Sequence, residues 1–215
     1  MLSIETHVTF IEWNSVISIV VVYSEEKEEK RGKKEFWALI EESKKYINNN
    51  DKKDFLIKKL MTLGIDDIIA FETCFRTFYK DTYRSSLWGA AYIIKGGCSD
   101  DSFDYFRAWL IAQGMEVYHN AIKNPECLAD YLENEEDNSD SFFEFEELLY
   151  VSLIAYEKVR TGNIIVKNDL YDEFSDLIEK NGFNYTYAYI DDVPWEDTED
   201  LKMLFPKLCS KYEVW

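Results

Sequence analysis

Glycines at 64, 96, 97, 114, 162 and 182 divide this chain into segments whose apolar residues recur every three or four positions. That period buries one side of a helix and fits no strand. In DIIAFETCFRTFY, Ile68, Phe71, Phe75 and Phe78 share a face. In KKDFLIKKLMTL, which Asp51 is expected to cap, Leu56, Leu60 and Leu63 do the same. EFWALIEESKKYI puts Phe36, Trp37, Ile40 and Ile47 on one stripe, and FFEFEELLYVSLIAYEKVR is the longest predicted helix. SSLWGAAYIIK, a short helix begun by Asn124-Pro125, DLYDEFSDLIEK and a tail kinked near Pro206 complete the set. No repeat of solenoid period is present.

Only the N-terminus reads differently. Ile4, Thr6, Val8 and Phe10 alternate with polar positions, and the β-branched run VISIVVVY follows Asn14-Ser15, which predicts a hairpin over 3–23. Isolated hairpins are marginal, so this one needs the helical body or another strand, for which NIIVK (163–167) and YTYAYI (185–190) qualify. The expected fold is mainly α: an irregular multi-helix domain over 35–215 with a small N-terminal β-hairpin and charged linker (1–34) as appendage.

Aromatics make up 16% of the 215 residues, enough for a dense core. VISIVVVY falls far short of the roughly 18 apolar residues of a membrane helix, and Glu5 and Glu12 do not suit a secretory leader, so a cytoplasmic location is expected. Four scattered cysteines predict reduced, mostly buried thiols, and two histidines leave a zinc site without support.

The net charge of −18 is placed unevenly. Residues 1–95 hold 15 acidic and 15 basic side chains, whereas 96–215 hold 27 acidic and 9 basic. From Asn124 to Glu157 there are 11 acids and no lysine or arginine. Such a field repels nucleic acid and anionic lipid and attracts cationic partners. A solvated acidic face is the simple reading; a docking surface for a basic protein is the sharper one.

The segment GGCSDDSFDYFRAWLIAQG (96–114) concentrates the polar chemistry. Ser99 or Asp100 suits a helix N-cap, and Asp100 and Asp101 favour the positive end of the dipole. Phe103, Phe106 and Leu110 share one face, Tyr105 and Trp109 another, so the helix is expected to be buried on much of its circumference. Arg107 needs a partner there, and Asp104 or Asp100 is in range. Three readings stand side by side: a capped core helix with an internal ion pair, a polar pocket lined by Ser99, Asp100, Asp101, Asp104, Arg107, Trp88 and His119, or catalysis by these groups. Cys98 or Ser99 as nucleophile would require His119 as base, though His119 in MEVYHNAI is expected to pack half-buried. Phosphate-loop, dinucleotide-binding, nucleophile-elbow, zincin and EF-hand patterns do not occur, and 42 acids make any carboxylate pair uninformative.

EFWALIEES (35–43), SLWGAAYIIKGGCSDDSFDYFRAWLIAQGMEVYHNAIKNPECLA (86–129) and FPKLCSKY (205–212) resemble the bacterial DUF4240 family, over about 35–212. The resemblance implies no activity, since its members have none assigned. Some are joined to a WGR-type domain, and no such second domain is expected here. The family-like positions are Trp88, Gly96, Gly97, Cys98, Ser99, Asp100, Asp101, Phe106, Arg107, Trp109, Leu110 and Gly114.

The functional expectation is a non-enzymatic binding protein without cofactor or metal. Its acidic half, through Glu133, Glu135, Glu136, Asp137, Asp140, Glu144, Glu146 and Glu147, would engage a basic protein. An immunity-type toxin inhibitor is its concrete form. The alternatives are a ligand-binding or catalytic domain using the 96–114 loop, and a regulatory adaptor. No nucleic acid, membrane or particular oligomeric state is expected.

Overall fold

The computed structural model describes residues 32–132, 143–162, 168–186 and 188–213, and among them the protein is helical without a β-strand. Helix α1 covers 32–43, α2 Asn49–Leu63, α3 Ile65–Asp81, α4 Ser85–Lys95, α5 Asp100–Ala112, α6 Met115–Lys123 and α7 Cys127–Tyr131. A 3-10 turn, η1 (Glu146–Tyr150), leads into α8 (Val151–Thr161). Then come α9 (Asn168–Lys180), α10 (Thr198–Leu204) and α11 (Pro206–Lys211). The hairpin expected at 3–23 and the segment 163–167 lie outside the described residues. The described part of YTYAYI forms only one parallel bridge, Ile190 with Arg84.

Helix α3 is the axis of the core. It buries Ile68, Phe71, Phe75 and Phe78, the stripe read from the sequence. Phe36 and Trp37 of α1 pack their rings on Phe78 at 5.3 and 4.6 Å. Helices α2, α8 and α9 pack on α3; α5 joins it to α4 and α6, and α10 and α11 pack on α4. One continuous apolar cluster runs through all of them.

Local signals explain most boundaries, and some differ from expectation. Helix α2 starts one residue after Asn48, whose side-chain Oδ1 accepts from the Asp51 backbone amide and whose side-chain Nδ2 donates to the Asp51 carboxylate, both at 2.8 Å. Asp51 is therefore the reciprocal partner of the cap rather than the cap. Ile47 is 96% exposed because α1 stops at residue 43, before the fourth position of its stripe. The long helix expected from Phe142 is instead broken. Phe143, Phe145 and Leu148 are all buried, a set no single helical face provides, and the Phe145 amide donates to the Tyr105 carbonyl of α5. Pro206 separates α10 from α11 as expected.

The starts of α6 and α11 take their caps from distant carboxylates. Gly114 (φ 98°) has no side chain to offer α6; Glu41 of α1 accepts from the Met115 amide instead, and a Cβ on Gly114 would lie 2.1 Å from its carboxylate. Glu126 likewise accepts from the amides of Lys207 and Leu208 at the start of α11. A carboxylate at these sites meets the unpaired N–H groups and the positive end of the dipole.

Candidate functional site

The 96–114 segment is a capped core helix. Gly96 (φ 68°) closes α4 in the left-handed conformation, and the Gly97 amide donates to the Tyr92 carbonyl at 2.9 Å. Ser99 caps α5 by accepting from the Ser102 amide. Asp100 and Asp101 stand exposed in the first turn. Trp88 donates from Nε1 to the Cys98 carbonyl at 3.1 Å and stacks on Phe103 at 4.7 Å. That contact locks the α4–α5 corner.

Arg107 is 4% exposed. Its guanidinium donates to the Asp104 carboxylate and to the Tyr79 carbonyl at 3.2 Å. Its Cζ lies 3.8, 4.9 and 5.4 Å from the ring centroids of Tyr79, Tyr83 and Phe103. Ring faces and one carboxylate thus take up a charge that would be costly to bury alone. Arg107 joins α5 to α3 and lines none of the three grooves described. The three grooves described on the surface lie elsewhere: beside Tyr46 and Phe55, beside Pro206, and between α1, α2 and α3.

His119 does not join the polar residues of α5. It is exposed on α6, its ring against Trp37, Phe78 and Tyr118. Burial, then Lys123, lowers its pKa, while Asp81 raises it. The Cys98 thiol donates to the Ser99 carbonyl at 3.7 Å; Ser102, Lys95, Glu144 and Asp100 are also near it, and burial pushes the thiol up despite Ser102 and Lys95. A Cys98–His119 dyad is not assembled. The cysteines form no disulfide, and among the described residues no three His, Cys, Asp or Glu side chains are grouped to hold a metal ion. No described helix is long and apolar enough to cross a membrane.

Of the acidic residues singled out, Glu133, Glu135, Glu136, Asp137 and Asp140 lie outside the described residues. Glu144 is half-buried against α4 and α5. Its carboxylate accepts from Lys95 Nζ at 2.9 Å and Ser102 Oγ at 3.1 Å, and the Lys95 side chain is only 4% exposed. Glu146 is exposed and Glu147 half-buried on η1. Glu146 meets the half-buried Tyr105 of α5, beside Asp101 and Tyr150. Desolvation, then Glu146 and Asp101, raises the Tyr105 phenol. None of Asp100, Asp101, Glu146 and Glu147 has an ion-pair partner among the described residues.

Sequence reasoning missed a second polar constellation. Asp192 accepts from Ser85 Oγ (3.0 Å), the Ser86 amide (3.0 Å) and Ser86 Oγ (2.7 Å), with the Arg84 guanidinium 3.8 Å away. Around it the Ser85 amide donates to the Ile190 carbonyl, the Ile190 amide to the Tyr83 carbonyl, and Trp195 Nε1 to the Ser85 carbonyl. This fastens 190–195 across the start of α4. The pair Ser85-Ser86 before an apolar run was a readable N-cap signal; its partner, more than a hundred residues away, was not.

A family model described as a protein of unknown function (DUF4240) matches residues 32–158. No curated protein and no solved structure matches the chain. The match starts with α1 and ends within α8; FPKLCSKY and the 190–195 side of the Asp192 constellation lie beyond it, while Arg84, Ser85 and Ser86 lie within. It takes in the Trp88–Cys98 corner, the capped helix α5 and the caged Arg107, and covers more than half of the 215 residues: the chain belongs to the DUF4240 family.

Proposed function

We propose that this protein is a non-catalytic cytoplasmic binding module whose face at the start of α5 and on η1 engages a basic protein, an immunity-type toxin inhibitor being the concrete form. The observation that supports it is the meeting of Asp101 and Glu146 at Tyr105, beside Tyr150, with no cation paired to either carboxylate among the described residues. Unpaired carboxylates beside tyrosines suit lysine and arginine side chains, which pair with the acids and lie on the rings. The chain between the described segments adds Glu133, Glu135, Glu136, Asp137 and Asp140 to the same half of the sequence. An adaptor role would use the same face and differ only in the partner. A ligand-pocket reading is not favoured by any of the three grooves described, none of which Asp100, Asp101 or Arg107 lines.

The test is calorimetric titration with a lysine dodecapeptide and with the basic product of an adjacent gene, at 50 and 200 mM salt. Reversing Asp101, Glu135, Glu136 and Glu146 to lysine is expected to weaken binding at least a hundredfold and flatten its salt dependence. Reversing Glu116, Asp172, Asp176 and Glu179 changes net charge equally but spares this face, and should cost far less. Equal losses in the two variants would sink the assignment.

A further inference from the structure

Between α1, α2 and α3 runs a groove of about 340 Å³ that the helical body does not fill. Leu39, Leu63, Ala70 and Phe71 form its apolar walls, and Glu42 and Lys59 stand among its lining residues. Leu63 is 43% exposed, although it continues the Leu56–Leu60 stripe, whose other members are fully buried. Gly32 also lines the groove, close enough to α3 that a Cβ there would lie 3.8 Å from Cys74 Sγ. The chain before Gly32 therefore joins the body at this groove.

That chain carries VISIVVVY at 16–23, with seven apolar residues in eight. Leaving such a run in water forgoes roughly 25 cal/mol for each Å² that could be covered. Among the described residues there is no sheet edge for it to join. We propose that residues 16–23 dock in this groove, with Ile17, Ile19 and Val21, which share one face of an extended segment, against Leu39, Leu63 and Ala70. The tether permits it. Residues 24–31 reach at most roughly 26–29 Å when extended, whereas α1 from Gly32 to Glu42 is only about 15 Å long. A tether this short holds the segment at an effective concentration on the order of millimolar, which favours it over a second molecule at ordinary protein concentrations.

Hydrogen exchange of the full chain, followed by mass spectrometry at 1 and 50 μM with sedimentation velocity alongside, tests this. Amides of 16–23 are expected to exchange at least tenfold more slowly than those of 24–31, equally at both concentrations. Leu63→Glu, on a position already half open to water, and Ile19→Asp, outside the helical body, should each bring 16–23 to the unprotected rate while α5 amides stay protected. Unprotected exchange of 16–23 in the unaltered chain would overturn the proposal. So would protection that survives both substitutions, or protection lost on dilution together with a fall from dimer to monomer, which would assign the groove to a second copy.

Discussion

Replacing Asp192 by asparagine removes a charge at the start of α4 while keeping the shape of the side chain. The carboxylate accepts three hydrogen bonds from Ser85 and Ser86 with its side chain 24% exposed. Bonds to a charged acceptor contribute about 1.5–3 kcal/mol and neutral ones about 0.5–1.5, and an anion at a helix start adds roughly 0.3–1 kcal/mol. Asparagine still offers one oxygen to the Ser86 amide, so the expected loss is about 2 kcal/mol, or a Tm roughly 4–8 °C lower for a chain of this size. Burial pushes the Asp192 carboxyl up, but the bonds from Ser86 and Ser85 outweigh it and hold the carboxyl below its ordinary value of 3.8. A carboxyl depressed in the folded state contributes stability above its unfolded pKa and loses it as pH falls through the folded one. The gap between the natural chain and Asp192→Asn should thus be complete at pH 6–7 and close progressively below about pH 4. Urea unfolding followed by tryptophan fluorescence at pH 7 and pH 3 measures it. A gap under about 0.5 kcal/mol at pH 7, or one of equal size at both pH values, would refute the reasoning.

Two further substitutions probe the packing around α4 and α5. Arg107→Met keeps most of the buried volume, and the Tyr79 carbonyl still accepts from Thr82 Oγ1. It should therefore stay within about 1 kcal/mol of the natural chain, whereas Arg107→Ala should cost about 2–4 kcal/mol through the cavity it leaves; equal losses in denaturant titrations would return Arg107 to a role beyond packing. Gly89→Ala gains about 1 kcal/mol of helix propensity. Its Cβ would lie 2.9 Å from Leu201, 3.0 Å from Trp195 and 3.1 Å from Phe205, however. Overpacking of about 1–3 kcal/mol should win, with proteolysis opening first after residue 190; a stabilised variant would show that the C-terminal segment yields without cost.

What the sequence conveyed was whatever a single helix decides for itself. The stripes of α2 and α3, the Ser99 cap, the closing turn at Gly96 and the break at Pro206 depend on residues within a few positions of one another. So does the Asp104–Arg107 pair, three positions apart. The aromatic cage of Arg107 was beyond reach, since Tyr79 and Tyr83 arrive from α3 and the turn after it. The segment after Phe142 misled for a related reason. FFEFEELLY alternates acids with large apolar residues, which reads as a helix, but the Phe145 amide is taken by α5 and the helix is delayed to Val151. Glu144 looked like surface charge by composition and proved to be the partner of a buried lysine.

The acidic excess therefore has two components, which local sequence does not separate. Glu41, Glu126 and Asp192 cap α6, α11 and α4 from distant positions, and Glu144 neutralises Lys95. Each accepts from a donor on a distant element of the fold, so its removal lowers stability whether or not a partner protein exists. Asp101 and Glu146 cap no distant helix and balance no buried cation; Glu146 accepts from the Tyr105 hydroxyl, and both acids raise the cost of ionising it. An exposed carboxylate that no cation neutralises is the kind expected at a binding surface. The distinction also decides how charge reversal is interpreted. Lost binding after substituting Glu41, Glu126, Asp192 or Glu144 reports a weakened fold, and only loss at Asp101 and Glu146 with unfolding unchanged reports a contact.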